Sequence, residues 1–126
     1  MTDERILIVE DNAKNMKLFR DVLVAMGYRT LEATTGGDAV DLASEHTPDL
    51  VLMDIQLPDL DGVQALQRLR AEARTASIPI VALTAQAMHG DRERFLEAGF
   101  DGYMSKPVNV HDLIEMVRQH CGGRSG

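Results

Sequence analysis

The chain has 126 residues, a length that fits one domain at roughly 100–200 residues per domain. Hydrophobic residues make up 44% and charged residues 26%, a globular balance that argues against a largely disordered chain. A net charge of −7 argues against a nucleic-acid surface, the single Cys121 excludes an internal disulfide framework or a multi-Cys zinc site, and no run of ~18 apolar residues is present to span a membrane.

The N-terminus lacks a signal-peptide pattern, so a reducing, cytoplasmic setting is expected. Ile6-Leu7-Ile8-Val9 is a continuous apolar run, the pattern of a strand buried on both faces. After the polar break Glu10-Asp11-Asn12, a helix follows whose wide apolar face holds Leu18, Phe19, Val22, Leu23 and Met26, and Gly27 is placed to end it. Met16 falls outside that face and reads as an exposed residue or a partner contact. A second strand covers 29–33. Thr35-Gly36-Gly37-Asp38 reads as a turn and helix start, leading into a helix over 39–45.

The third strand is Leu50-Val51-Leu52-Met53, stopping at Asp54. A loop runs from Gln56 to Gly62, where Asp59 and Asp61 are expected to make turn hydrogen bonds. Val63, Leu66 and Leu69 mark a third helix. The fourth strand, Ile80-Val81-Ala82-Leu83, stops at Thr84, and a fourth helix runs over 87–98 to Gly99. The fifth strand, 102–105, leads into Lys106-Pro107. The last helix covers 110–120, and 122–126 reads as a flexible tail.

Five strands alternating with five helices predict an α/β fold, a doubly wound parallel sheet with helices on both faces. In such sheets, function collects at the carboxyl ends of the strands. Those ends carry Glu10 and Asp11, Asp54, Thr84, and Ser105-Lys106-Pro107. Three carboxylates at one edge repel one another and favour a hard cation, Mg²⁺ before Ca²⁺ because the oxygen ligands are few. A lysine and a hydroxyl beside them complete a group suited to a phosphoryl ligand. An ionised carboxylate can itself act as a nucleophile toward phosphorus. The four histidines show no metal-ligand spacing.

These residues stand in the strings Ile8-Val9-Glu10-Asp11-Asn12, Leu52-Met53-Asp54-Ile55-Gln56-Leu57-Pro58, Asp61-Gly62, Ala82-Leu83-Thr84-Ala85 and Tyr103-Met104-Ser105-Lys106-Pro107. With them, residues 4–120 resemble the receiver domain of two-component response regulators. The runs Asn15-Met16-Lys17-Leu18-Phe19 and Ala87-Met88-His89-Gly90-Asp91 are similar to those of a single-domain cell-division regulator in that family. The resemblance implies a flavodoxin-like sheet of order 2-1-3-4-5, a receiver domain over 1–121, and no separate output domain.

The resemblance also implies roles at matching positions. Asp54 would be the phosphoacceptor. Asp11, Asp54 and the Gln56 backbone carbonyl would bind Mg²⁺, with Glu10 acting through a water. Lys106 would contact the phosphoryl group. Thr84 and Tyr103 would form the switch pair, and the bond before Pro107 would be cis. Gln56 and Gln86 would tune the lifetime of the acyl phosphate.

The implied phosphodonor is a histidine kinase or a histidine phosphotransfer protein, docking near Asn12, Lys14, Asn15 and Leu18. The implied readout face is helix four, strand five and helix five, with Arg92 and Tyr103, meeting a downstream kinase or regulator. A monomer is expected, with phosphorylation-linked dimerisation open to it. Rival readings are an interaction scaffold of the same fold without phosphotransfer, and a receiver separated from a hybrid histidine kinase. A flavin module is disfavoured because Glu10-Asp11 stand where its phosphate loop would be, and an aspartyl-phosphate hydrolase because Gln56 stands where a second acid is needed.

Overall fold

The computed structural model describes residues 4–85 and 91–121, with no side-chain description at 91 and 92. The order of elements is β1 (Arg5–Val9), α1 (Ala13–Ala25), β2 (Arg29–Ala33), α2 (Gly36–His46), β3 (Leu50–Asp54), α3 (Gly62–Ala71), β4 (Ile80–Thr84), α4 (Asp91–Ala98), β5 (Gly102–Ser105) and α5 (Val110–His120). All pairings are parallel, and the sheet order is β2-β1-β3-β4-β5.

Strands β3 and β4 are buried along their whole length, which is why they read as unbroken apolar runs rather than as alternation. Alternate residues feed two cores. Leu7, Val9, Val51, Met53, Ile80 and Ala82 pack against α2, α3 and α4. Ile6, Ile8, Leu50, Leu52, Val81 and Leu83 pack against α1 and α5. One buried Val, Leu or Ile stabilises by about 1.5–3 kcal/mol, so these two layers supply most of the driving force for the sheet.

Helix starts follow local chemistry. Asn12, Thr35, Asp61 and Asn109 each cap a first turn with a side-chain oxygen. At α3 the cap is reciprocal: Asp61 accepts from the Gln64 amide at 2.8 Å and Gln64 Oε1 accepts from the Asp61 amide at 3.2 Å. Gly27, with φ 94°, follows the end of α1, where a side chain would be strained.

Two expectations change. Met16 is 6% exposed and belongs to the core, whereas Leu18 is 37% exposed. The buried stripe of α1 is Met16, Phe19 and Leu23, spaced three and four apart, and it places Leu18 on the outer side. Helix α2 begins at Gly36, inside the helix start expected over 35–38, with Thr35 as its cap. Helix α4 is described from Asp91, and the expected first residues 87–90 lie outside the described residues, as does the 122–126 tail.

Candidate functional site

Chain direction brings the strand ends together. Parallel strands point all five C-termini to one edge, and the β1–β3 boundary is where successive crossovers turn in opposite directions. Glu10 and Asp11 follow β1, and Asp54 ends β3 beside them. Thr84 ends the next strand, level with Ser105, so Lys106 leaves the sheet two strands from Asp54. The Lys106 amide donates to Thr84 O at 2.7 Å, which sets where its side chain starts.

The Lys106 side chain crosses back over β4. Its Nζ lies 2.8 Å from Asp54 Oδ2 and 2.7 Å from Glu10 Oε1. Glu10 is fully buried, Asp54 is 4% exposed, and Thr84 is also buried. Glu10 Oε2 accepts from the Asn12 amide at 3.0 Å, and Asp54 Oδ1 accepts from the Gln56 amide at 3.0 Å. Carboxylate oxygens of Glu10, Asp11 and Asp54 all lie within 4.8 Å of one another, and Asp11 is the exposed member.

Burial is the largest influence on Glu10 and pushes its carboxyl above the ordinary range. The bond to Lys106 and the Asn12 amide pull it partly back, and the Asp54 charge adds to the rise. Burial works against the Lys106 ammonium. Its bonds to Asp54 and Glu10 outweigh that, and its pKa is raised.

One ammonium thus faces three acidic groups, an unbalanced charge. Glu10 Oε1 is buried, with the Lys106 ammonium 2.7 Å away as its ion-pair partner. The donor set is all oxygen and open to solvent at Asp11. Those properties fit a divalent hard cation such as Mg²⁺, which keeps several waters and needs few carboxylates.

The loop after Asp54 is tightly closed. The Gly62 amide donates to Ile55 O at 2.8 Å. A Cβ on Gly62 would sit 2.7 Å from Asp54 O and 2.9 Å from Ile55 Cα, so the position requires glycine. The Lys106–Pro107 bond is cis, as the resemblance implies. Tyr103 is half-buried, with its ring 5.8 Å from that of Phe95 on α4. A groove beside it, between β5 and α5, is lined by Tyr103, Ser105, Pro107, Asn109 and Met116.

The structure therefore brings together Glu10, Asp11, Asp54 and Lys106, with Thr84 at the adjoining strand end and Gln56 on the following loop. Tyr103 stands apart from this cluster, packed on α4. Gln86 and the Arg92 side chain lie outside what is described. Asn12, placed by the sequence in the polar break after β1 and expected near the docking phosphodonor, also holds Glu10 with its amide and caps α1 with its side chain. A polar residue just ahead of a helical period is the signal for that cap. Asp59 makes no merely local turn: its carboxylate reaches Gly36 and Gly37 at the start of α2. Sequence distance hides such a contact.

The pattern described as the response regulator receiver domain matches residues 6–118. The polar-differentiation response regulator DivK of Brucella ovis is 47% identical over 117 residues, 93% of this chain and 95% of that protein. The receiver domain of sensor histidine kinase PA1611 from Pseudomonas aeruginosa, solved with a magnesium ion coordinated in its active site cleft, is 38% identical. It superposes with a TM-score of 0.87 over 96% of this chain and 99% of that one. The receiver domain of the Francisella response regulator 1452 is 25% identical, with a TM-score of 0.88 over 98% of this chain and all of that one. Among the described residues no helix is long and apolar enough to cross a membrane. The sheet order, the acidic edge with its lysine, and these matches agree: the chain belongs to the response regulator receiver-domain family of two-component signalling proteins, and within that family it is similar to DivK.

Proposed function

We propose that this chain, with residues 1–121 as its receiver domain, is a phosphoryl-accepting switch of a two-component relay in the cytoplasm. The observation that carries the reading is Asp54, buried at the end of β3, bonded by Lys106 and gathered with Glu10 and Asp11. A phosphohistidine of a histidine kinase or phosphotransfer protein is the donor. An Asp54 carboxylate oxygen attacks phosphorus, the new O–P bond forms as the P–N bond breaks, and the electron pair stays on the imidazole nitrogen.

An Asp54 carboxylate oxygen can act as the nucleophile itself. Lys106 offsets charge on the transferring oxygens, and positioning with electrostatics carries such a reaction. Asp11, Asp54, Glu10 and the Gln56 carbonyl would hold Mg²⁺, which when bound adds positive charge against the phosphoryl oxygens. Gln56 and Gln86 set the lifetime of the acyl phosphate.

Thr84 gains a phosphoryl contact in one state only, which supplies the differential interaction a two-state switch requires. Tyr103 changes rotamer with it, and the face of α4, β5 and α5 is read by a downstream kinase or regulator. The groove between β5 and α5 supports a contact surface there. The phosphodonor docks beside α1, where Leu18 is exposed next to Asn15 and Lys14. The chain acts as a monomer, with dimerisation through the α4 face on phosphorylation.

The test is intact mass after incubation with acetyl phosphate and Mg²⁺, beside Asp54→Asn. A phosphoryl adduct on the wild type alone, lost with chelator, is expected. Absence of the adduct with acetyl phosphate and with any phosphohistidine donor would leave an interaction scaffold of receiver fold.

A further inference from the structure

Asp59 lies five residues beyond Asp54, at the tip of the β3–α3 loop. Its two carboxylate oxygens bridge to another part of the chain. Oδ1 accepts from the Gly36 amide at 2.7 Å, and Oδ2 from the Gly37 amide at 3.0 Å. Both amides belong to the first turn of α2, which has no partner for them within the helix. The Asp38 amide of the same turn goes to Thr35 Oγ1 at 3.1 Å. One helix start therefore has two separate caps, one from its own N-cap residue and one from the loop of the site.

The packing there is close. A Cβ on Gly36 would lie 2.7 Å from Leu60 Cβ and 3.0 Å from Leu60 O, so only glycine lets the helix start press on the loop. The other end of the loop is closed by the Gly62 amide on Ile55 O, and Asp54 Oδ1 takes the Gln56 amide. The segment carrying Gln56 is thus tied at its base to Asp54 and at its tip to α2. Backbone amides of Leu60, Gly37 and Gly36 are also what hold the Asp59 carboxyl below the usual aspartate range, so the clamp is charged at neutral pH.

We propose that Asp59 is a positioning residue for the cation and phosphoryl site: by clamping the β3–α3 loop to the start of α2, it holds the Gln56 main chain where the carboxylate cluster can use it. This rests on the reading that the cluster takes Mg²⁺ and Asp54 a phosphoryl group. Asp59 itself touches none of the reacting atoms. Partners that orient a ligand commonly govern affinity about 10–100-fold when lost.

The test compares Asp59→Ala, Asp59→Asn and Thr35→Ala with the wild type. Each receives a Mg²⁺ titration by calorimetry, acetyl phosphate uptake across Mg²⁺ concentrations, and a urea midpoint. Asp59→Ala should weaken Mg²⁺ roughly tenfold. Its uptake rate should recover at saturating Mg²⁺, so that half-saturation moves and the maximal rate does not. Asp59→Asn keeps one acceptor oxygen and should fall between. It also keeps the question open to measurement if the alanine variant does not fold. Thr35→Ala removes the other cap of the same helix and should leave Mg²⁺ affinity within about twofold while lowering the urea midpoint, as loss of a cap does. Wild-type affinity in Asp59→Ala and Asp59→Asn would overturn the clamp, and so would an equal loss in Thr35→Ala, which would reduce Asp59 to helix capping. Failure of the wild type itself to bind Mg²⁺ and take up phosphate would instead remove the reading beneath it.

Discussion

Asp54 ends β3 and Lys106 follows the end of β5, with β4 between those strands, yet Lys106 Nζ lies 2.8 Å from Asp54 Oδ2. The same ammonium lies 2.7 Å from Glu10 Oε1, so it serves as the shared counter-charge of two buried carboxylates. Removing one partner of a buried pair leaves an uncompensated charge, and about 3–5 kcal/mol is the usual cost. Lys106 keeps 16% exposure, so the lower end applies.

Lys106→Ala should therefore lose about 3 kcal/mol in urea denaturation with chelator present. Mg²⁺ should restore part of it by binding the folded state. Phosphoryl uptake from acetyl phosphate should fall by roughly 10²-fold, the typical loss when one electrostatic donor is removed. Unchanged stability together with an unchanged rate would show that the ammonium takes no part.

Glu10 gives a pH dependence with a definite sign. Its carboxyl is raised in the folded chain, chiefly by burial. The folded state then holds the proton more tightly than the unfolded one. The resulting stability is present below the ordinary glutamate value of about 4.3 and is lost as pH rises through the folded value. In chelator, Glu10→Gln should lose less stability than the wild type as pH rises from about 4.3 through the folded value. Added Mg²⁺ should narrow or reverse that difference, because the wild type gains the binding free energy. Urea midpoints across this range check it, and parallel curves with and without Glu10 would refute the effect.

Gly62→Ala would place a Cβ 2.7 Å from Asp54 O and 2.9 Å from Ile55 Cα. Both are main-chain atoms, so the strain cannot be relieved by a side-chain rotation. We expect a loss of about 1–3 kcal/mol and displaced amide resonances at Asp54, Ile55 and Gln56. Near-neutral stability with unshifted resonances would mean the loop yields more easily than its contacts indicate.

Met16 and Leu18 should part company on substitution. Met16→Ala removes a core side chain and should cost about 2–4 kcal/mol. Leu18→Ala should stay within about 0.5 kcal/mol of the wild type. If α1 docks the phosphodonor, Leu18→Ala should nonetheless slow transfer from a phosphohistidine protein while leaving acetyl phosphate uptake alone. Equal effects of the two substitutions on stability would contradict the observed face of the helix.

Much of this protein is local in origin and was legible without coordinates. The bounds of β2, β5 and α5 coincide with the strand and helix patterns, because period and capping act over a few residues. The residues at the strand ends marked the site edge for a topological reason: a parallel α/β sheet sends every strand's carboxyl end one way. Which face of α1 is inner was less clear, since two adjacent stripes are both apolar and only packing on the sheet chooses Met16, Phe19 and Leu23. The chain alone thus determined the alternation of elements and the residue types gathered at one edge. The tertiary structure decided that a single Lys106 spans Glu10 and Asp54, and that Asp59 closes on Gly36 and Gly37 more than twenty residues away. Such pairings depend on how far apart folded segments come to lie, and no window of sequence carries that distance.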